Sequence, residues 1–87
     1  MANIKSARKR ARQSVRLRAR NASLRTTARS AIKQVKKAVA AGDKSAAAAA
    51  LVRLQATVDR VTAKGVLHRG AADRHKSRLT RAVKAMA

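Results

Sequence analysis

Residues 42–65 read GDKSAAAAALVRLQATVDRVTAKG, a stretch opened and closed by two of the chain's three glycines. Between them Ala47, Leu51, Leu54, Val58 and Val61 recur at alternating steps of four and three. That heptad spacing puts all five on one face of a helix, whereas a strand would scatter them over both faces. Asp43 stands where the helix begins: a carboxylate there accepts a first-turn backbone N–H, and its charge complements the helix N-terminus. Gly65 stands where it ends, since glycine adopts a left-handed stop without steric cost. A helix with one apolar stripe needs partners to cover it, and the flanking sequence supplies two.

Before Gly42, Leu24, Ala28, Ala31, Ile32, Val35, Ala38 and Val39 form a second stripe at helical spacing. Continued backwards it passes Asn21, Leu17 and Gln13 or Ser14 and dissolves into bases, with Val15, Ala19, Ala11 and Ala7 as a thin substitute. The spacing predicts a helix over Ser6–Ala41, capped by Asn3 or Ser6 and stopped by Gly42. At 1.5 Å per residue such a helix is roughly 50 Å long, more than a small domain is wide, so its front end projects. After Gly65 a third stripe follows: Ala72, His75, Leu79, Ala82 or Val83, and Met86. Three stripes on short links cover one another best in an all-α, antiparallel three-helix bundle with a long, protruding, basic first helix. Residues 1–87 read as one domain, with residues 1–20 as a basic arm.

The charge is what sets the chain apart. It carries 23 Lys and Arg against three Asp and no Glu, a net charge of +20 over 87 residues. Large aliphatics are few and aromatic residues absent, a composition that without 22 helix-favouring alanines would suit a disordered chain. With no cysteine there is neither a disulfide framework nor a thiolate site. No apolar run reaches the ~20 residues that span a bilayer. The N-terminus lacks the apolar core of a secretory signal. It has the Arg-rich, acid-free look of a transit peptide, but its removal would leave little core, so a cytoplasmic location is expected.

Catalysis is not expected. Asp43, Asp59, Asp73, His68 and His75 offer neither an acid–base pair nor a metal-ligand spacing. No glycine-rich loop cradles a nucleotide, and no cofactor, metal or small-molecule substrate is implied. His75 falls on the apolar side of the third stripe, either packing as a boundary residue or touching a phosphate or ribose.

Thirteen bases precede the first acid, Asp43. A solvated helix face normally intersperses acids; here Arg8, Arg12, Arg16 and Arg20 stack like charges at steps of four, near a helix N-terminus that disfavours them. Phosphates alongside turn each repulsion into a contact and release counterions. Aromatic stacking on single strands is impossible, although Arg18, Arg25 or Arg29 can stack, and base-by-base reading is not expected. Bases recur later at Arg53, Arg60, Lys64, Arg69, Arg74, Lys76, Arg78, Arg81 and Lys84. Bases on every exposed face suit a protein enclosed by RNA helices, recognised by backbone and shape. Other readings are a DNA-binding basic zipper on the seam Leu17, Leu24, Ala31 and Ala38, a histone-like compactor, or a membrane-surface helix. The seam is cut at Gly42 and has no acidic partners, and the apolar face is too slight for a membrane.

The opening Met1-Ala2-Asn3-Ile4-Lys5-Ser6-Ala7-Arg8-Lys9-Arg10 resembles the start of a ribosomal family, the twentieth protein of the bacterial small subunit. So do Asn21, Arg29 with Ile32-Lys33, Ala41-Gly42-Asp43-Lys44, Asp59-Arg60, Ala63-Lys64-Gly65-Val66-Leu67-His68 and Arg74-His75-Lys76-Ser77-Arg78-Leu79, in order over nearly the whole chain. The resemblance implies a structural protein of the ribosome, in the cytoplasm, that binds 16S ribosomal RNA early in assembly among other small-subunit components. It implies a three-helix fold, no cofactor and no catalysis. Carried over, it assigns RNA contact to Asn3, Lys5, Ser6, Arg8, Lys9, Arg10, Asn21, Arg25, Arg29 and Lys33, and to Lys64, His68, Arg74, His75, Lys76 and Arg78. The charge pattern adds Arg12, Arg16, Arg18 and Arg20. Gly70, Ala71 and Asp73 depart from the family pattern, and Gly70 is expected to loosen the start of the third helix.

Overall fold

A computed structural model describes residues 2–86, with side chains from Ile4 to Met86. It holds α1 (Ala2–Ala40), α2 (Lys44–Ala63) and α3 (Arg69–Lys84), and the expected antiparallel three-helix bundle is what forms. α1 starts ahead of both residues expected to cap it. Ser6 lies inside the helix and exposed; the side chain of Asn3 is outside the described residues. No residue from Ala2 to Ala41 is a glycine or proline, so no local signal stops the helix from extending backwards.

Both links are built the same way. Gly42 adopts φ +75°, the Gly42 N–H donates to the Val39 carbonyl at 3.1 Å, and the Asp43 N–H donates to the Ala38 carbonyl at 3.2 Å. These two bonds define a Schellman stop. Gly65 (φ +76°) repeats it, with N–H donation from Gly65 to Thr62 and from Val66 to Val61. Asp43 caps α2 as expected, its Oδ1 accepting from the Ala46 N–H at 3.0 Å. Stop and cap meet within three residues, which reverses the chain and lays α2 back along α1.

The core is wholly aliphatic: Val35 from α1, Ala47, Ala50, Leu54 and Val58 from α2, and Ala72, Leu79 and Val83 from α3. Ala28 and Val61 are buried as well, and no polar residue among those described is. Of the expected α2 seam, Leu51 sits at the edge and Ala50 is buried in its place. With α1 and α3 on two sides of α2, the buried arc is wider than a single seam, and an alanine lets a neighbouring helix approach closely. On α3, Val83 is buried, while Ala82, His75 and Met86 are half-covered.

α1 has 39 residues, and the molecule measures 67 × 21 × 14 Å. Its radius of gyration of 17.7 Å exceeds the ~12 Å of a compact chain this long. The excess is the front of α1: every side chain from Ile4 to Arg20 is exposed, and coverage begins at Asn21 and Leu24.

Two outcomes follow from this division. Leu54→Ala should cost about 2–4 kcal/mol, a large share of the stability of so small a core, as read from denaturant melts. In the free protein, amides of Arg8–Arg20 should exchange with solvent far faster than those around Leu54 and Val58, because opening an uncovered turn of like charges costs little. Strong protection of Arg8–Arg20 in the absence of a polyanion would refute that account.

Candidate nucleic-acid interface

The front of α1 is a cationic rod. Lys5, Arg8, Lys9, Arg10, Arg12, Arg16, Arg18 and Arg20 are all exposed, and at 3.6 residues per turn they spread around the whole cylinder. Arg20 is held at its base by Nη2 donation to Asn21 Oδ1 at 3.2 Å, with Asn21 itself half-buried.

Once α1 enters the bundle its charge becomes uneven. Arg25, Arg29 and Lys33, at steps of four, form an exposed ridge on the flank nearest Ile32. The other flank is polar but uncharged along Ser23, Thr27, Ser30 and Gln34, which follow one another at steps of four and three, until the row reaches the exposed Lys37 in the last turn. Thr26 and Thr27 turn their hydroxyls back to the carbonyls of Ala22 and Ser23, at 3.0 Å each, which occupies them within the helix.

α3 carries the second ridge. Arg74, Arg78 and Arg81 are exposed at steps of four and three, with Arg78 one turn from the half-buried His75. Arg81, which the sequence reading left out of the site, continues this row; its spacing from Arg78 was the available signal. Between the ridges lies a cleft of about 210 Å³ at the end of the bundle from which α1 projects. Arg25, Arg29 and Ile32 line it from α1, Val66 and Leu67 from the link, and His75 from α3, over a floor of Ala28 and Val61. The cleft was also missed. Its one sequence trace is Val66-Leu67, an apolar pair in a link after a glycine stop.

The three acids are spent on structure. Asp43 caps α2; Asp59 Oδ1 accepts from Lys76 Nζ at 2.8 Å across α2 and α3; and Asp73 Oδ1 lies 3.9 Å from the same nitrogen. Among the described residues Lys76 is the one base paired with an acid, so its charge is less open to a phosphate than its neighbours'. The hydrogen bond to Asp59 raises the Lys76 pKa above the ordinary lysine value, partly opposed by desolvation. The resulting stabilisation is present at neutral pH and fades as pH rises through that raised value. It is small, because the carboxylate side is open to solvent.

His68 also has a structural task. Its Nδ1 accepts from the Gly70 N–H at 3.0 Å and caps α3, which places the ring proton on Nε2, a donor left for a phosphate or ribose. Gly70 sits in the first turn of α3, which starts at Arg69. A Cβ there would sit 3.2 Å from His68 Nδ1, so the glycine leaves the ring room to reach the helix end. Lys64 is exposed at the C-cap of α2, beside the same link.

One expectation is overturned: bases do not cover every exposed face. The outward face of α2, Ser45, Ala48, Ala49, Val52, Ala56, Asp59 and Ala63, is exposed without a single base. Arg53 and Arg60 share one flank of α2, where Arg53 lines a groove with Ser30 and Gln34 of α1. The zipper seam is used up as well. Ala31 and Ala38 pack on the bundle's own core and Leu24 is half-covered, which leaves only Leu17, 51% exposed, for a second chain.

The family whose description is Ribosomal protein S20 matches residues 2–84. The small ribosomal subunit protein bS20 of Laribacter hongkongensis is 60% identical over 87 residues, which is 100% of both chains. Those of Azoarcus sp. and Ralstonia pickettii are 55% and 56% identical, covering 100% of this chain and 99% of each relative.

The cap assignment has a direct check. His68→Ala should lower stability by about 1 kcal/mol in thermal melts by leaving the Gly70 N–H without its partner, whereas His68→Asn should restore most of that loss.

Proposed function

The chain belongs to the ribosomal protein S20 family, and on that premise we propose that it is a structural protein of the small ribosomal subunit that binds 16S ribosomal RNA directly and assists its assembly. The location that goes with the family is the ribosome, in the cytoplasm, among other small-subunit components. Residues 1–87 act as one RNA-binding unit, with residues 1–20 as its arm.

The observation that carries this reading is the placement of unpaired charge. The rod from Lys5 to Arg20 and the ridges Arg25-Arg29-Lys33 and Arg74-Arg78 are exposed and lack acidic partners, a distribution whose self-repulsion a bound polyanion relieves. A rod charged on all sides fits between phosphate backbones that approach from more than one direction. The bundle behind it presents the α1 and α3 ridges to RNA and leaves the outward face of α2 away from it. Asn3, Ser6, Asn21, Lys64, His68, His75 and Lys76 take supporting contacts, Lys76 the weakest because Asp59 holds it. The bound RNA orders the arm, and the bundle fixes where the arm points. No catalytic step belongs to this function.

The rival from another class is a DNA compactor, which needs only the charge. Full-length 16S transcript should bind far more tightly than duplex DNA of equal charge at moderate salt, in filter-binding titrations over a salt series. Arg12→Gln should lower RNA affinity slightly and reduce the salt slope by about one, as one phosphate contact among many. Equal binding to both nucleic acids with one salt slope would sink the ribosomal reading.

A further inference from the structure

The phosphate contacts leave one feature unexplained: the cleft of about 210 Å³ between the α1 and α3 ridges. We propose that it receives the base of one unpaired nucleotide of the bound RNA. The inference rests on the RNA-binding reading above and adds a base contact to a surface otherwise suited to phosphates.

The chemistry of the walls points to a base. Ile32, Val66 and Leu67 are half-buried, Ile32 and Leu67 against the core, and a chain without Phe, Tyr or Trp has no large ring with which to close over them. Arg25 and Arg29 line the α1 wall and His75 the α3 wall, so the cleft has guanidinium groups on one side and an imidazole on the other. Guanidinium planes and histidine rings are stacking partners for unstacked RNA bases. A phosphate alone would be served by the ridges and would gain nothing from an apolar floor. Size narrows the choice. Pockets that enclose drug-sized ligands begin at about 300 Å³, so this cleft admits a ring system and leaves the sugar and phosphate outside. Lys33, one turn beyond Arg29, and Arg78, one turn from His75, stand where the flanking phosphates would run.

The other candidates are weaker. The outward face of α2 is a stripe of small residues around Val52 with nothing to indicate what covers it. The groove of Ser30, Gln34, Thr57 and Arg53 has Ala31 as the one apolar residue of its lining, and its Thr26 and Thr27 hydroxyls are already bonded within α1.

Arg29→Lys separates stacking from charge, because lysine keeps the cation and loses the plane. Bound to full-length 16S transcript, R29K should weaken affinity by about tenfold with the salt slope unchanged, while the control R53K, on α2 and outside the assigned RNA contacts, binds as the parent chain does. Val66→Phe, which places a ring in the cleft, should give a similar loss. R29K changes only an exposed residue, so the test survives if V66F does not fold. Chemical probing of the complexes with dimethyl sulfate and a carbodiimide, which together read all four bases, should show one unpaired base protected by the parent chain and released in R29K. The hydroxyl-radical footprint on the backbone should stay as it is. R29K binding like the parent, or identical base protection in both complexes, overturns the proposal. A backbone footprint without any such base sinks the cleft assignment alone; no footprint at all sinks the RNA reading and the cleft with it.

Discussion

The rest of the structure depends on a contest between a small aliphatic core and the chain's own charge. Leu54, Val35, Val58 and Val61 are its largest fully buried side chains, and against them stands a net charge of +20. Apolar burial acts over contact distance, whereas repulsion reaches across a Debye length of about 8 Å in physiological salt. The fold settles the contest by geometry. Apolar burial is concentrated where the three helices overlap, and eight of the bases, from Lys5 to Arg20, are strung out along the part of α1 that leaves the bundle. Distance and solvent do the separating that acidic partners do elsewhere.

The same arrangement explains where the few polar interactions went. Each Asp closes or braces the bundle: Asp43 at the head of α2, Asp59 and Asp73 around Lys76 between α2 and α3. None is placed on α1, where an acid would relieve repulsion but would also compete with a phosphate for the bases. His68 takes the cap of α3, a position more often held by Asp, Asn or Ser, and an acid is thereby kept away from the link beside Lys64. The bundle is held by residues that cost the cationic surface little.

Function follows from the asymmetry this produces. The arm is charged all round, the anchored half of α1 mainly on the flank of Arg25, Arg29 and Lys33, α3 across its exposed side, and the outward face of α2 not at all. An RNA-binding surface of this shape has a direction. Phosphates surround the arm and meet the bundle on its α1–α3 side, where the cleft lies. A uniform polycation would bind any duplex equally; a rod fixed to a one-sided bundle binds where RNA helices leave a channel and a flank of matching shape.

Much of this was legible in the residues, because its causes are local. Apolar residues at steps of three and four define helical stripes whatever surrounds them, and Gly42, Asp43 and Gly65 carry their stops and cap in their own backbone preferences. The excess of bases before Asp43 needs only counting. What tertiary structure decided is everything that depends on two elements meeting. Ala50 rather than Leu51 entered the core because α1 and α3 approach α2 from two sides. Lys76 lost its freedom to Asp59, seventeen residues away on another helix. The His68 ring packs within 3.2 Å of where a Cβ at Gly70 would sit, a proximity that only the folded turn creates. The base-free face of α2 and the cleft at the foot of the arm appeared only when the helices were rotated into place. A sequence states which faces a helix has; only packing decides which of them the other helices cover.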